Sequence, residues 1–148
     1  MKSQTAIYAL IALVTIALGS IWLSYLRQDS APRQVFPATI HRDCAPWDGS
    51  AFTVSIPMDE SVLNISIFQS PAIKHPAVFS LHEEAADVGS AFLLSPDGSA
   101  EPLMGKVSFQ RVEERIPVEG EYHFRTASGK QVTGRFQAEW GNEIVYCG

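Results

Sequence analysis

Residues 120–140 read Gly-Glu-Tyr-His-Phe-Arg-Thr-Ala-Ser-Gly-Lys-Gln-Val-Thr-Gly-Arg-Phe-Gln-Ala-Glu-Trp, and the period of this stretch decides the fold. Tyr122 and Phe124, then Val132, Phe136, Ala138 and Trp140, all fall on even positions, while Glu121, His123, Arg125, Arg135 and Glu139 fill the odd ones. Period two is the repeat of an extended strand, whose successive side chains point to opposite faces. Between the two runs, Ala127-Ser128-Gly129-Lys130 has the chemistry of a tight hairpin turn. The stretch therefore reads as two antiparallel strands with one buried face and one wet face.

The same pattern extends upstream. Val107 and Phe109 alternate with Ser108 and Gln110, and short β-branched and aromatic runs recur between turn residues back to Val35. The strand candidates are Val35–His41, Ala51–Pro57, Val62–Gln69, Ala77–Leu81, Ala91–Ser95, Gly105–Val112, Gly120–Thr126, Lys130–Trp140 and Glu143–Cys147. Ser95-Pro96-Asp97-Gly98 suits a type I turn followed by a left-handed glycine. A single helical signal, the capping-box spacing Ser80-Leu81-His82-Glu83, opens a short helix over Glu83–Val88 that Gly89 stops. These elements predict an all-β domain, a small antiparallel β-sandwich of about seven to nine strands.

The N-terminal segment has a different composition. No residue from Ser3 to Leu26 is charged, and Ala6–Leu26 is an apolar run of 21 residues. As a helix it is ~31 Å long, enough to cross the ~30 Å hydrocarbon core of a bilayer. A cleaved signal has a shorter apolar region, ~7–15 residues, before a small-x-small site. Ala17-Leu18-Gly19 is the nearest such site, and no cysteine follows the run to carry a lipid anchor. Trp22, Tyr25 and Arg27 end it as a retained span ends, with amphipathic rings and then a cation. Thr15-x-x-x-Gly19 and Ser20-x-x-x-Ser24 are spacings that allow a second helix to approach closely. The expected organisation is a membrane anchor at 1–27, a tether at 28–34 and an extracytoplasmic β-sandwich domain at 35–148.

Cys44 and Cys147 bracket the strand-rich region, where one disulfide closes nearly the whole domain into a loop. Such a bridge persists in an oxidising compartment, which orients the chain with its C-terminal domain periplasmic or extracellular. Residues 34–148 hold eight Lys and Arg against 15 Asp and Glu, a formal charge of −7. A surface with that balance repels phosphate backbones and argues against nucleic-acid binding.

Motifs for chemistry are sparse. Neither Gly-x-Ser-x-Gly nor Ser-x-x-Lys occurs, and His41, His75, His82 and His123 form no His-x-His or His-x-x-x-His pair. His82-Glu83-Glu84 with Asp87 reads as a solvated charged turn, and Asn64-Ile65-Ser66 as a chance glycosylation triplet. No catalytic residue, metal or cofactor is assigned. Asp43-Cys44-Ala45-Pro46-Trp47-Asp48-Gly49 is the most unusual segment. In one reading Asp43 and Asp48 are oxygen ligands for calcium or a sugar and Trp47 is a stacking surface. In the other, which is favoured, the segment is a disulfide-anchored loop with Trp47 packed against the domain end. The expected function is a non-enzymatic, single-span envelope protein whose domain mediates protein–protein interaction or assembly. The alternatives are a carbohydrate- or peptide-binding module built on Asp43, Trp47 and Asp48, and a carboxylate-dependent hydrolase.

Overall fold

The structure, a computed structural model, describes residues 34–82, 86–142 and 145–147. Eight strands follow in order: β1 (Val35–Cys44), β2 (Ser50–Pro57), β3 (Val62–Ile67), β4 (Ala77–Leu81), β5 (Gly89–Leu94), β6 (Ala100–Phe109), β7 (Val118–Thr126) and β8 (Gln131–Trp140). Each overlaps one of the expected strands. Of the expected ninth, Glu143–Cys147, the described residues Val145–Cys147 have no strand pairing, and the backbone bond from Gly141 N–H to Ile40 C=O ends the β1–β8 ladder. The expected anchor over Ala6–Leu26 lies outside the described residues. Among those described, no helix is long and apolar enough to cross a membrane.

The sandwich expectation needs correction, because seven of the strands close into a barrel in the order β1-β2-β3-β5-β6-β7-β8. Two pairings close it. β1 runs parallel to β8, with Val35 opposite Arg135 and Ile40 opposite Trp140. β5 pairs with β6 over only three positions, from Phe92–Pro102 to Leu94–Ala100, across the Ser95–Ser99 turn. Closure satisfies the strand edges that an open sheet leaves bare. It also makes the sheet mixed rather than purely antiparallel. Pro37 and Pro57 stand where the β1–β2 ladder stops, as residues without an N–H must.

β4 is the eighth strand. It lies beside the second half of β6, pairing from Ala77–Phe109 to Leu81–Gly105. β6 therefore changes partner from β5 to β4 along its length, and Gly105 stands at the change. Its φ is +153°, and a Cβ there would lie 2.1 Å from the carbonyl oxygen of His123. Only glycine fits this bend. Ser80 is inside β4, so it is not the helix cap that its spacing suggests, and Ala86–Val88 form a turn. Glu83 and Glu84, the rest of that expected helix, lie outside the described residues.

The interior is filled by the alternating residues. Phe52, Phe109, Phe136 and Tyr122 are at most 1% exposed, and Phe109 meets Phe52, Phe79 and Phe136 edge-on at centroid distances of 5.5–5.9 Å. Edge-to-face pairs of this kind add roughly 0.5–1.5 kcal/mol each beyond their buried area. His123 faces solvent and bonds Glu121 at 2.9 Å, as its odd position on β7 requires. Trp140 is half-buried, and its Nε1–H donates to the Glu113 carbonyl at 2.9 Å. Asn64 is on β3 with its Oδ1 buried and without a partner among the described residues, so the triplet is not a presented loop.

Candidate interaction surface at the disulfide end

Strand direction decides which loops meet. β1, β3, β6 and β8 all rise toward one end of the barrel, and β2 and β7 start there. That end gathers the turn after Cys44, the segment after Ile67, the loop 110–117 and the tail after Trp140. Gln34 enters at the opposite end, beside the turns that follow β2, β5 and β7.

The Cys44–Cys147 disulfide expected from the sequence is present, with a Cα–Cα distance of 5.6 Å and a sequence separation of 103. It ties the C-terminal tail back to the top of β1. The neighbouring loop is held by two backbone bonds, Ala45 N–H to Gly49 C=O and Asp48 N–H to Ala45 C=O. Asp48 closes this turn in the left-handed region at φ +62°, where Asn and Asp are the tolerated non-glycine residues.

The residues singled out in the sequence part company here. Asp43 turns both carboxylate oxygens onto the protein. Oδ1 accepts from the Cys44 N–H at 2.8 Å and Oδ2 from the Thr53 hydroxyl at 2.7 Å, and Thr53 in turn accepts from Ser66 at 2.8 Å. Both oxygens thus help to lock β1, β2 and β3 together. Asp48 is exposed, but no group of three or more His, Cys, Asp or Glu among the described residues is placed to hold a metal ion. Trp47 keeps 54% of its surface exposed and packs edge-on against Phe68 at 5.5 Å. It is braced on one side and open on the other.

Three further features of this end were not picked out in the sequence. Ile116 and Tyr146 are exposed, Tyr146 by 90%, so large side chains stand out around the bridge together with Trp47. A cleft of about 470 Å³ opens beside them, bordered by Arg42, Glu114, Arg115, Glu139, Trp140 and Asn142. Arg42 and Glu114 form an ion pair across it. Arg115 occupies the left-handed region at φ +66°, a conformation that a long side chain adopts only when the surrounding loop imposes it. Glu114 and Arg115 carry no sequence motif, and strand direction places their loop at the end that also holds the bridge. Glu114 and Glu139 give the cleft two carboxylates, but Glu114 is engaged by Arg42. The carboxyl group that hydrogen bonding from Ser99 pulls below its ordinary range is Asp97, on an exposed turn that is not part of this cleft.

No family model matches the chain, and no curated protein or solved structure is significantly similar to it. The functional reading therefore rests on the site itself.

Proposed function

We propose that residues 34–148 are the extracytoplasmic interaction domain of a single-span, membrane-anchored envelope protein, and that the disulfide end binds another protein. The observation that carries this reading is that three large side chains, Trp47, Ile116 and Tyr146, are exposed on loops at one end, which the bridge makes rigid. Aromatic residues on a stiff support lose little conformational freedom on binding and are enriched among the residues that dominate interface energies. The disulfide supports an oxidising compartment. The uncharged run Ala6–Leu26 supports the anchor.

Site-specific photo-crosslinking in native membranes tests the proposal. A photoreactive residue replacing Trp47 or Tyr146 is expected to trap a discrete protein adduct, whereas one at Val78, exposed on β4, is not. Equal trapping from all three positions, or from none, overturns it.

The 54% exposure of Trp47 also supports the carbohydrate reading, since sugars stack on exposed aromatic rings. Quenching of Trp fluorescence by a soluble glycan, lost in Trp47→Ala, distinguishes that reading from the first.

A further inference from the structure

Half of the cations of the barrel domain stand on the outer face of β6, β7 and β8 and the turn between the last two: Lys106, Arg125, Lys130 and Arg135, of eight in residues 34–148. The ladders order this face into rows. Ser80, Lys106, His123 and Thr133 align across four strands, and Met104, Arg125 and Gln131 form the next row. On the other side comes Val78, Ser108, Glu121 and Arg135, in which the carboxylate and guanidinium stand opposite each other. Charge is thus sorted along the strands. Glu121 of the upper row turns its carboxylate onto the His123 ring of the next row at 2.9 Å, and the two lower rows add Lys106 and Arg125 with no carboxylate residue of their own.

Elsewhere in the domain Arg42 is paired with Glu114 and Arg111 with Glu113. Lys106 and Arg125 have no ion-pair partner among the described residues. Unpaired like charges on neighbouring strands work against the sheet. They border an open cleft of about 690 Å³, lined also by His82, His123, Gln131 and Thr133. The cleft offers cationic and hydroxyl or amide groups together, on a domain that is otherwise strongly acidic.

We propose that this cleft binds an extended acidic peptide segment, with carboxylates on alternate residues seated on Lys106, which stands opposite position 123, and on Arg125. Positions 123 and 125 lie on one face of β7, ~6.6–6.8 Å apart along the strand, which is also the spacing of alternate side chains in an extended peptide. Arg125 offers a planar fork to one carboxylate and Lys106 a mobile ammonium to the other. Gln131 and Thr133 are placed to hydrogen-bond the peptide backbone. A flat anionic membrane fits less well, since it presses its headgroups onto Glu121 one row above and onto a domain of −7. A peptide is narrow enough to use the two lower rows alone.

The test uses the full-length chain in non-ionic detergent and a fluorescein-labelled peptide of alternating Glu and Ala, followed by anisotropy at low ionic strength. The expected result is saturable binding that weakens with added salt and is absent for the Gln-Ala peptide. Lys106→Gln and Arg125→Gln each weaken it about threefold, and Lys106→Glu/Arg125→Glu weakens it more than tenfold. Lys74→Glu, a charge reversal at an exposed position on the segment between β3 and β4, retains most of the affinity. Circular dichroism melts of every variant separate loss of binding from loss of fold, and the Gln variants serve if the double Glu variant does not fold. Three outcomes overturn the proposal: no binding of the acidic peptide, affinity unchanged in the Gln variants, or binding to phosphatidylglycerol vesicles that outcompetes the peptide. The surface at the disulfide end is distinct, so Trp47→Ala leaves peptide binding unchanged, and failure of one proposal does not carry the other with it.

Discussion

Tyr122 shows what a single residue contributes to this barrel. Its ring is fully buried between Phe124 and Phe136, yet its hydroxyl has no hydrogen-bond partner among the described residues. The hydroxyl reaches under Gly134 on β8, where an added Cβ would stand 2.6 Å from it. Gly134 is thus the space that the tyrosine occupies, a relation visible in the sequence only as a glycine inside a strand. Burial pushes the phenol above its ordinary value of 10.0. A group whose folded value is raised contributes stability that is fully present below the unfolded value and is lost as pH climbs through the folded one. Alkaline pH therefore destabilises the domain through Tyr122. Replacing it by Phe removes a buried, unpartnered donor and leaves the ring. Tyr122→Phe is expected to raise stability by about 1 kcal/mol at neutral pH and to flatten the loss of stability above pH 10. Urea melts across that range check both parts, and a less stable Phe variant at neutral pH contradicts the assignment.

At the scale of elements, the alternation was legible because burial on one face of a strand leaves a period-two trace whatever the sheet becomes. β4 was placed to the residue, Ala77–Leu81, and β8 to within one. What alternation does not encode is which strands meet. The same inward residues serve a sandwich or a barrel, and the parallel β1–β8 contact joins the first strand to the last. The candidate loop residues followed the same division. Trp47 stood out by type, whereas Arg115, Ile116 and Tyr146 reach the same end through that long-range closure. Where β7, β8 and β6 converge, Phe136 is 1% exposed, meets Phe109 at 5.8 Å and stacks on Tyr122 at 6.4 Å. Phe136→Ala is expected to cost about 3–5 kcal/mol, the usual cost of emptying an aromatic site that cannot collapse. A melting temperature within a few degrees of the wild type would show that the barrel interior is looser than these contacts require.

At the scale of the domain, Gln34 onward, the fold is a closed sheet whose closure is reinforced covalently. A barrel joined by β1 and β8 can open along that seam, since a parallel ladder is slightly weaker per residue than an antiparallel one. The Cys44–Cys147 bridge ties the chain just beyond the seam's upper end, linking the last residue of β1 to the tail that follows β8. With the cysteines 103 positions apart, the chain-entropy treatment gives a stabilisation of about 4–5 kcal/mol. Domain stabilities are commonly about 5–15 kcal/mol, so the bridge supplies a large share. The same bond is the physical link between fold and location, because in a reducing compartment the share is absent. Cys44→Ser/Cys147→Ser is therefore expected to lower stability by several kcal/mol. Hydrogen exchange in that variant should rise first in β1 and β8, the strands that share the seam, while the β6–β7 ladder retains its protection. Uniform loss of protection across all strands would show that the barrel unfolds as one unit and that the bridge acts only on the unfolded chain.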